Sequence, residues 1–169
     1  MDKLYRLLHT TCSASVKLLV TTGVMFIILM TIIMWVQVLL RYVFNIGLPW
    51  AEEIAKYFMV WSAMLGAAVV LYENGHIAVD FLFNKLAEKQ RNWIKTGHLL
   101  LALILFGIMA YFGWTQAIFG LDFKSPTTGI TRFWPYLSIF VGGFFMLLFS
   151  IHLLMSHLRD HYFNKKEQV

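Results

Sequence analysis

Hydrophobic positions along the chain gather into four long blocks. Residues 18–40, 57–72, 96–121 and 133–158 contain no Asp, Glu, Lys or Arg, in runs of 23, 16, 26 and 26 residues. About 20 residues at about 1.5 Å each cross a hydrocarbon core, so three of these runs suffice as they stand. The second suffices if its helix starts at Pro49, because proline suits the first helical position and acids suit the first turn. The pattern predicts an all-α integral membrane protein, a single membrane domain with transmembrane helices at 18–40, 49–72, 96–121 and 133–158.

The segments between and beside the blocks have a second pattern. In residues 1–17, Leu4, Leu7 and Leu8 share one side while Lys3, Arg6 and His9 lie elsewhere, as in a helix lying in the membrane interface. Residues 76–93 do this more clearly. Ile77, Phe81, Leu82, Leu86 and Trp93 form an apolar stripe opposite Asp80, Asn84, Lys85, Glu88, Lys89 and Arg91. This segment reads as a second interfacial amphipathic helix, either a plain solvated connection or a docking helix. Residues 159–169 form a charged tail.

Charge then orients the blocks. Ten of the 14 Lys and Arg residues fall in the N-terminal segment, the middle connection and the tail; the other four, Arg41, Lys56, Lys124 and Arg132, fall in the two remaining connections. Positive flanks stay cytoplasmic, so both termini and both interfacial helices are expected on the cytoplasmic side. The net charge of +5 is accounted for by anionic lipid and calls for no nucleic acid. At 59% hydrophobic and 14% charged, the composition lies outside the soluble range. The first apolar run exceeds a signal-peptide core and no small-x-small cleavage motif follows it, so it is expected to stay as an anchor. The one cysteine, Cys12, permits no internal disulfide and no thiol relay.

The concentrated chemistry lies in RYVFNIGLPWAEEIAKYF, residues 41–58. A short turn there would bring Arg41 at the end of one span near Glu52 and Glu53 at the start of the next, with Lys56 one helical turn beyond Glu52. Two readings stand: ordinary charges flanking two spans, or an ion-pair clasp that fixes the hairpin and presents a face to a partner. Glu73, His76 and Asp80 read as an interface turn at Asn74-Gly75; two ligands four residues apart make a weak metal signal. Gln37 is expected to bond across helices. Small residues spaced by four (Ser62 and Gly66, Ala63 and Ala67, Gly113 and Ala117, Ser138 and Gly142) mark close helix contacts, internal or with another protein.

No charged group stands in the middle of any span, whereas transporters place coupling-ion and substrate sites near the midplane. The expectation is a supporting subunit, with no catalytic, substrate-binding or metal residue of its own. The rival from another class is a haem-bearing electron-transfer subunit using His98 with His152 or His157. A small self-assembling exporter is a further rival, but it would need a membrane-embedded acid.

The residues from Arg41 to Asp80 resemble the small membrane subunit, DctQ type, of tripartite ATP-independent periplasmic (TRAP) transporters. The likeness rests on Arg41 ending the first span, Trp50-x-Glu52-Glu53 opening the second, Trp61 and Gly66 within it, and Gly75-His76-x-x-x-Asp80 after it. Trp134-Pro135-Tyr136 at the entrance to span four is similar to the family too, and Lys56 stands where a basic residue is expected. The resemblance implies a subunit of a heteromeric importer in a bacterial or archaeal cytoplasmic membrane. A periplasmic binding protein would deliver an organic acid, such as sialic acid or a dicarboxylate, to a large membrane subunit driven by a sodium gradient. The small subunit would brace the large one, through the aromatic-rich and small-residue faces of spans one and two. No cofactor and no enzymatic activity are implied.

Overall fold

The computed structural model describes residues 2–74 and 88–167, with side chains over 10–73, 90 and 93–159. Four long helices make up the chain: α1 (Asp2–Val43), α2 (Pro49–Asn74), α3 (Glu88–Phe119) and α4 (Phe133–Glu167). Each contains a stretch long and apolar enough to cross a membrane, at Thr10–Val43, Pro49–Glu73, Trp93–Asp122 and Phe133–Arg159. His76 and Asp80 lie outside the described residues, as does most of the expected surface helix at 76–93.

Two helices start at the edges of apolar blocks. Pro49 opens α2, its missing N–H and fixed φ costing nothing in the first turn, and α4 begins at Phe133. At three places a helix runs on beyond the apolar block. Helix α1 is unbroken from Asp2 through residues 17 and 18. No glycine or proline interrupts it before Gly23, and Cys12 and Leu19 are buried in the core. Similarly, α3 is already helical at Glu88, and α4 continues to Glu167 through most of the expected tail.

The order of contact is α1 against α2, α2 against α4 and α4 against α3, with only a minor α1–α4 contact. Helix α4 is therefore central: 44% of its apolar stretch is buried inside the molecule, against 11% for α1. Backbone proximity makes this arrangement possible. On α4, Gly142 lies against α2, where an added Cβ would sit 2.9 Å from the Cβ of Met64. Next to it, Gly143 lies against α3, where an added Cβ would sit 3.0 Å from the backbone N of Ala110. Gly113 on α3 makes the tightest approach, 2.7 Å from its would-be Cβ to the backbone N of Phe140. Small residues permit such approaches where lipid supplies no hydrophobic drive.

A second layer of contact is made by larger side chains. Cys12, Leu19, Leu65, Ala68, Val69, Met146 and Phe149 form one buried cluster joining α1, α2 and α4. Tyr72 tilts against Phe149 at 5.1 Å, and Phe26 stacks on Phe58 at 5.2 Å, distances at which aromatic pairs attract. This cluster lies toward the end of the bundle that carries Asn74. The opposite end, with Arg41 and the α3–α4 loop, carries the polar contacts described next.

Candidate functional site

At that end α1 stops in a tight turn. The backbone N–H groups of Phe44 and Ile46 both donate to the Leu40 carbonyl, at 3.1 and 3.0 Å, and Asn45 takes a left-handed φ of 55°, a conformation asparagine tolerates. The turn returns the chain to Pro49 within five residues, so the end of α1 faces the first turn of α2. Arg41 Nη1 lies 3.7 Å from Glu52 Oε1, with the two side chains 63% and 47% exposed. Gln37, one turn before Arg41 and only 4% exposed, donates from Nε2 to the same Oε1 at 2.8 Å. The Gln37 bond across helices therefore falls on an acid of the opening cluster.

Glu53 does not join Arg41. Adjacent residues on a helix point about 100° apart, so with Glu52 facing α1, Glu53 faces the other neighbour, the α3–α4 loop. Its Oε2 accepts from Ser125 Oγ and, at 3.2 Å, from Thr128 Oγ1; its Oε1 accepts from Tyr57 OH, one turn along α2. The expected three-membered clasp is thus two devices, Arg41–Glu52–Gln37 on α1 and Glu53–Ser125–Thr128–Tyr57 on the loop.

The loop is built to meet that carboxylate. After a short 3₁₀ turn at Gly120–Asp122, Lys124 and Thr131 pair as an isolated antiparallel bridge and Ser125 N donates to Ile130 O at 2.9 Å. Gly129, at φ 70°, closes the turn. The hydroxyl of Ser125 also accepts from the backbone N–H of Thr127 at 3.1 Å and of Thr128 at 3.4 Å, satisfying donors that a short loop leaves over. A third tie joins α2 to the start of α4: Trp61 Nε1 donates to the Trp134 carbonyl at 3.0 Å. Trp50 and Trp134, at the starts of α2 and α4, are themselves 47% and 55% exposed, and tryptophan at a span end favours the headgroup region.

Replacing Glu53 by alanine strands the hydroxyls of Ser125, Thr128 and Tyr57. Hydrogen bonds to a charged acceptor contribute about 1.5–3 kcal/mol each. We expect a net loss of about 2–3 kcal/mol, expressed locally. Hydrogen exchange in residues 123–132 should accelerate by tenfold or more while that of Leu65 to Val69 stays unchanged.

The remaining predicted site residues scatter. Lys56 is exposed and borders a recess of about 310 Å³ with Glu53, Ser125 and Arg132. Gly66 is exposed, with nothing within 4 Å of where a Cβ would be. With Met59, Ala63, Ala67 and Val70 it forms an outward strip on α2. Gly113 with Ala117 and Ser138 with Gly142 are buried instead, so half of the small-residue pairs serve internal packing. His98 is exposed on α3, whereas His152 is 6% exposed, its ring 5.7 Å from that of Tyr72; one imidazole is in the core and the other at the surface. No group of three or more His, Cys, Asp or Glu fit to hold a metal ion occurs among the described residues.

Comparison with known proteins adds a second line of observation. Residues 30–160 match the family described as tripartite ATP-independent periplasmic transporters, DctQ component. A putative TRAP transporter small permease protein of Haemophilus influenzae is 31% identical over 128 residues, covering 76% of this chain and 80% of that protein. The sialic acid TRAP transporter permease protein SiaT of Haemophilus influenzae is 32% identical over 128 residues, 74% of this chain but only 20% of the relative. The C4-dicarboxylate TRAP transporter small permease protein DctQ of Rhodobacter capsulatus is 32% identical over 105 residues, 60% of this chain and 46% of that protein.

Proposed function

The chain belongs to the DctQ-component family of TRAP transporters, small multi-pass subunits of the inner membrane, and from that premise we propose that it braces the large membrane subunit of an organic-acid importer. The carried solute is a carboxylate of the sialic acid or C4-dicarboxylate class, delivered by a periplasmic binding protein and moved by the large subunit with a sodium gradient. Supporting this, the relatives include one named for sialic acid and one named for C4-dicarboxylate.

The observation that carries the bracing role is the distribution of charge. The apolar interiors of all four spans lack Asp, Glu, Lys and Arg, and the contacts of Glu52 and Glu53 lie at the end of the bundle, outside those interiors. A carboxylate or a sodium ion crossing beside these helices would meet no compensating group at mid-depth, which is costly in hydrocarbon. A row of helices with α1 only 11% buried over its apolar stretch instead offers broad faces to another protein. That a stretch like this chain makes up one fifth of the longer SiaT permease supports close pairing with a large partner.

The outward strip of α2 and the aromatic-rich exposed face of α1, including Trp35 and Tyr42, form the contact with the large subunit. The loop end, with Lys56 and Arg132, faces the periplasm and the binding protein. Both termini are cytoplasmic, in line with the ten-to-four division of Lys and Arg. Proteoliposomes containing the large subunit and binding protein, with and without this chain, test the role. Sodium-driven uptake is expected only with the chain, and full uptake without it would overturn the proposal.

A further inference from the structure

Helix α2 has two broad sides. One is the outward strip with Met59, Ala63 and Gly66. On the other, a cleft of about 490 Å³ opens between α1, α2 and the entry to α4, walled by Phe26, Ile54, Phe58, Trp61, Ile130 and Trp134. Phe26 is half-buried and packs against the core cluster, on the bundle side of α1 and away from the exposed Trp35 and Tyr42. The cleft therefore uses neither face assigned to the large subunit. Its volume is that of a ligand site, about 300–1,000 Å³.

The chemistry of the walls restricts what can enter. Trp61 gives its one side-chain N–H to the Trp134 carbonyl, and Tyr57, the remaining wall residue, gives its hydroxyl to Glu53. Carbon and ring faces are what remain to line the cleft, and a charged or hydrogen-bonding solute would lose its water there without compensation. Depth restricts the occupant further. From Pro49 to Trp61, α2 rises about 18 Å, against about 15 Å for half of a hydrocarbon core. At that depth Phe26 and Trp61 pack on the cluster of Cys12, Leu19, Leu65 and Phe149 that joins α1, α2 and α4, so the cleft ends blind near mid-membrane. A transmembrane helix is about 10–12 Å wide and crosses the whole core; it does not fit a cavity one leaflet deep. A single hydrocarbon chain does. Left empty, the walls would forfeit their dispersion contacts on that side. Trp134, 55% exposed at the mouth, begins a span, where tryptophan meets headgroups.

We propose that this cleft holds one acyl chain of a phospholipid from the leaflet on the loop side, laid along α2 from Trp134 down to Phe26 with its head group outside. The chain is recognised and the head group is not. Contact on three sides separates this chain from ordinary boundary lipid, which touches the protein on one. The proposal does not depend on the bracing role, because it is read on the isolated chain.

Native mass spectrometry of the purified full chain tests it, by titration with phosphatidylcholine, phosphatidylethanolamine and phosphatidylglycerol of identical acyl chains. One lipid should be retained about tenfold more tightly than the second, and alike for the three head groups. Ile54→Trp and Ile130→Trp each fill the cleft and should abolish the tight first lipid. Ile104→Trp, on the exposed side of α3, should not. Helical content and the protection of Cys12 from thiol reagents should be unchanged in all three. A phosphatidylcholine with a diazirine at the end of one chain needs no variant: photolysed in liposomes with the native sequence, it should label the half-buried Phe26, Phe58 and Trp61 more heavily than the exposed Ile104. Graded retention with no distinct first lipid, a first lipid that survives both cleft-filling variants, a head-group preference of about tenfold, or heavier labelling at Ile104 would overturn the proposal. So would release of the large subunit from the Ile54→Trp complex, since a segment of that protein would then fill the cleft.

Discussion

Substituting valine for Gly113 should prevent the helices from assembling. A Cβ at this position would lie 2.7 Å from the backbone N of Phe140 and 3.0 Å from the carbonyl carbon of Ile139. Both are main-chain atoms in the middle of α4, which no rotamer change can move away. Alanine therefore already forces α3 off α4, and valine adds two methyl groups in the same place. Overpacking costs about 1–3 kcal/mol where side chains can yield; here the cost should reach about 4 kcal/mol or more, the range associated with loss of a fold. The displaced surface includes Ala110 and Ala117 on α3 and Gly143 on α4, all buried. Cys12 provides a readout, because the one thiol in the chain is 0% exposed in the α1–α2–α4 core. Thiol labelling in mild detergent should be slow for the native sequence and at least tenfold faster for Gly113→Val. Native-like labelling and an unchanged melting temperature would show that α3 does not approach α4 this closely.

The second large effect is expected where a substitution should do nothing to the isolated chain. Ala63 and Gly66 are exposed on α2, and no atom lies within 4 Å of a Cβ built at Gly66. The pair Ala63→Leu and Gly66→Leu should leave Cys12 protected and the helical content unaltered, and replacing the flexible glycine inside a helix favours the helix by a few tenths to about 1 kcal/mol. In the complex the prediction reverses. If this strip is the close contact with the large subunit, two leucines separate the backbones and remove the short-range packing that joins helices in lipid. Recovery of the large subunit on a tagged copy of the double variant should fall at least tenfold, corresponding to a loss of about 1.4 kcal/mol or more. Undiminished recovery would place the contact elsewhere, with the exposed face of α1 as the next candidate.

The contrast between Gly113 and Gly66 shows what the sequence conveys. Both stand in small-residue spacings, so both read as positions of close approach. Which faces inward depends on the lateral order of the helices, and nothing in the spacing sets that order. Charge-free runs pointed to four long apolar helices, because ionisable groups are expelled from hydrocarbon whatever the packing. They do not mark helix ends, since charge marks the limit of the apolar solvent and not the limit of hydrogen bonding. With no glycine or proline before Gly23 or after Gly143, α1 and α4 continue past the charges. The consecutive acids were legible as a cluster but not as two separate devices. A turn of about 100° between neighbours signals that Glu52 and Glu53 must look in different directions. That Ser125 and Thr128 receive Glu53 depended on a loop seventy-odd residues away. Trp61 was visible as a tryptophan within the second span, but its acceptor, the Trp134 carbonyl, is a backbone atom that no sequence pattern advertises.

The central claim is that these helices support a pathway without forming one. Flux through liposomes containing this chain and no other protein tests it most directly, with labelled sialic acid, a labelled C4-dicarboxylate and sodium-22 as probes under an imposed sodium gradient. The account predicts rates equal to those of protein-free liposomes for all three probes. Saturable, gradient-dependent entry of any of them would contradict it.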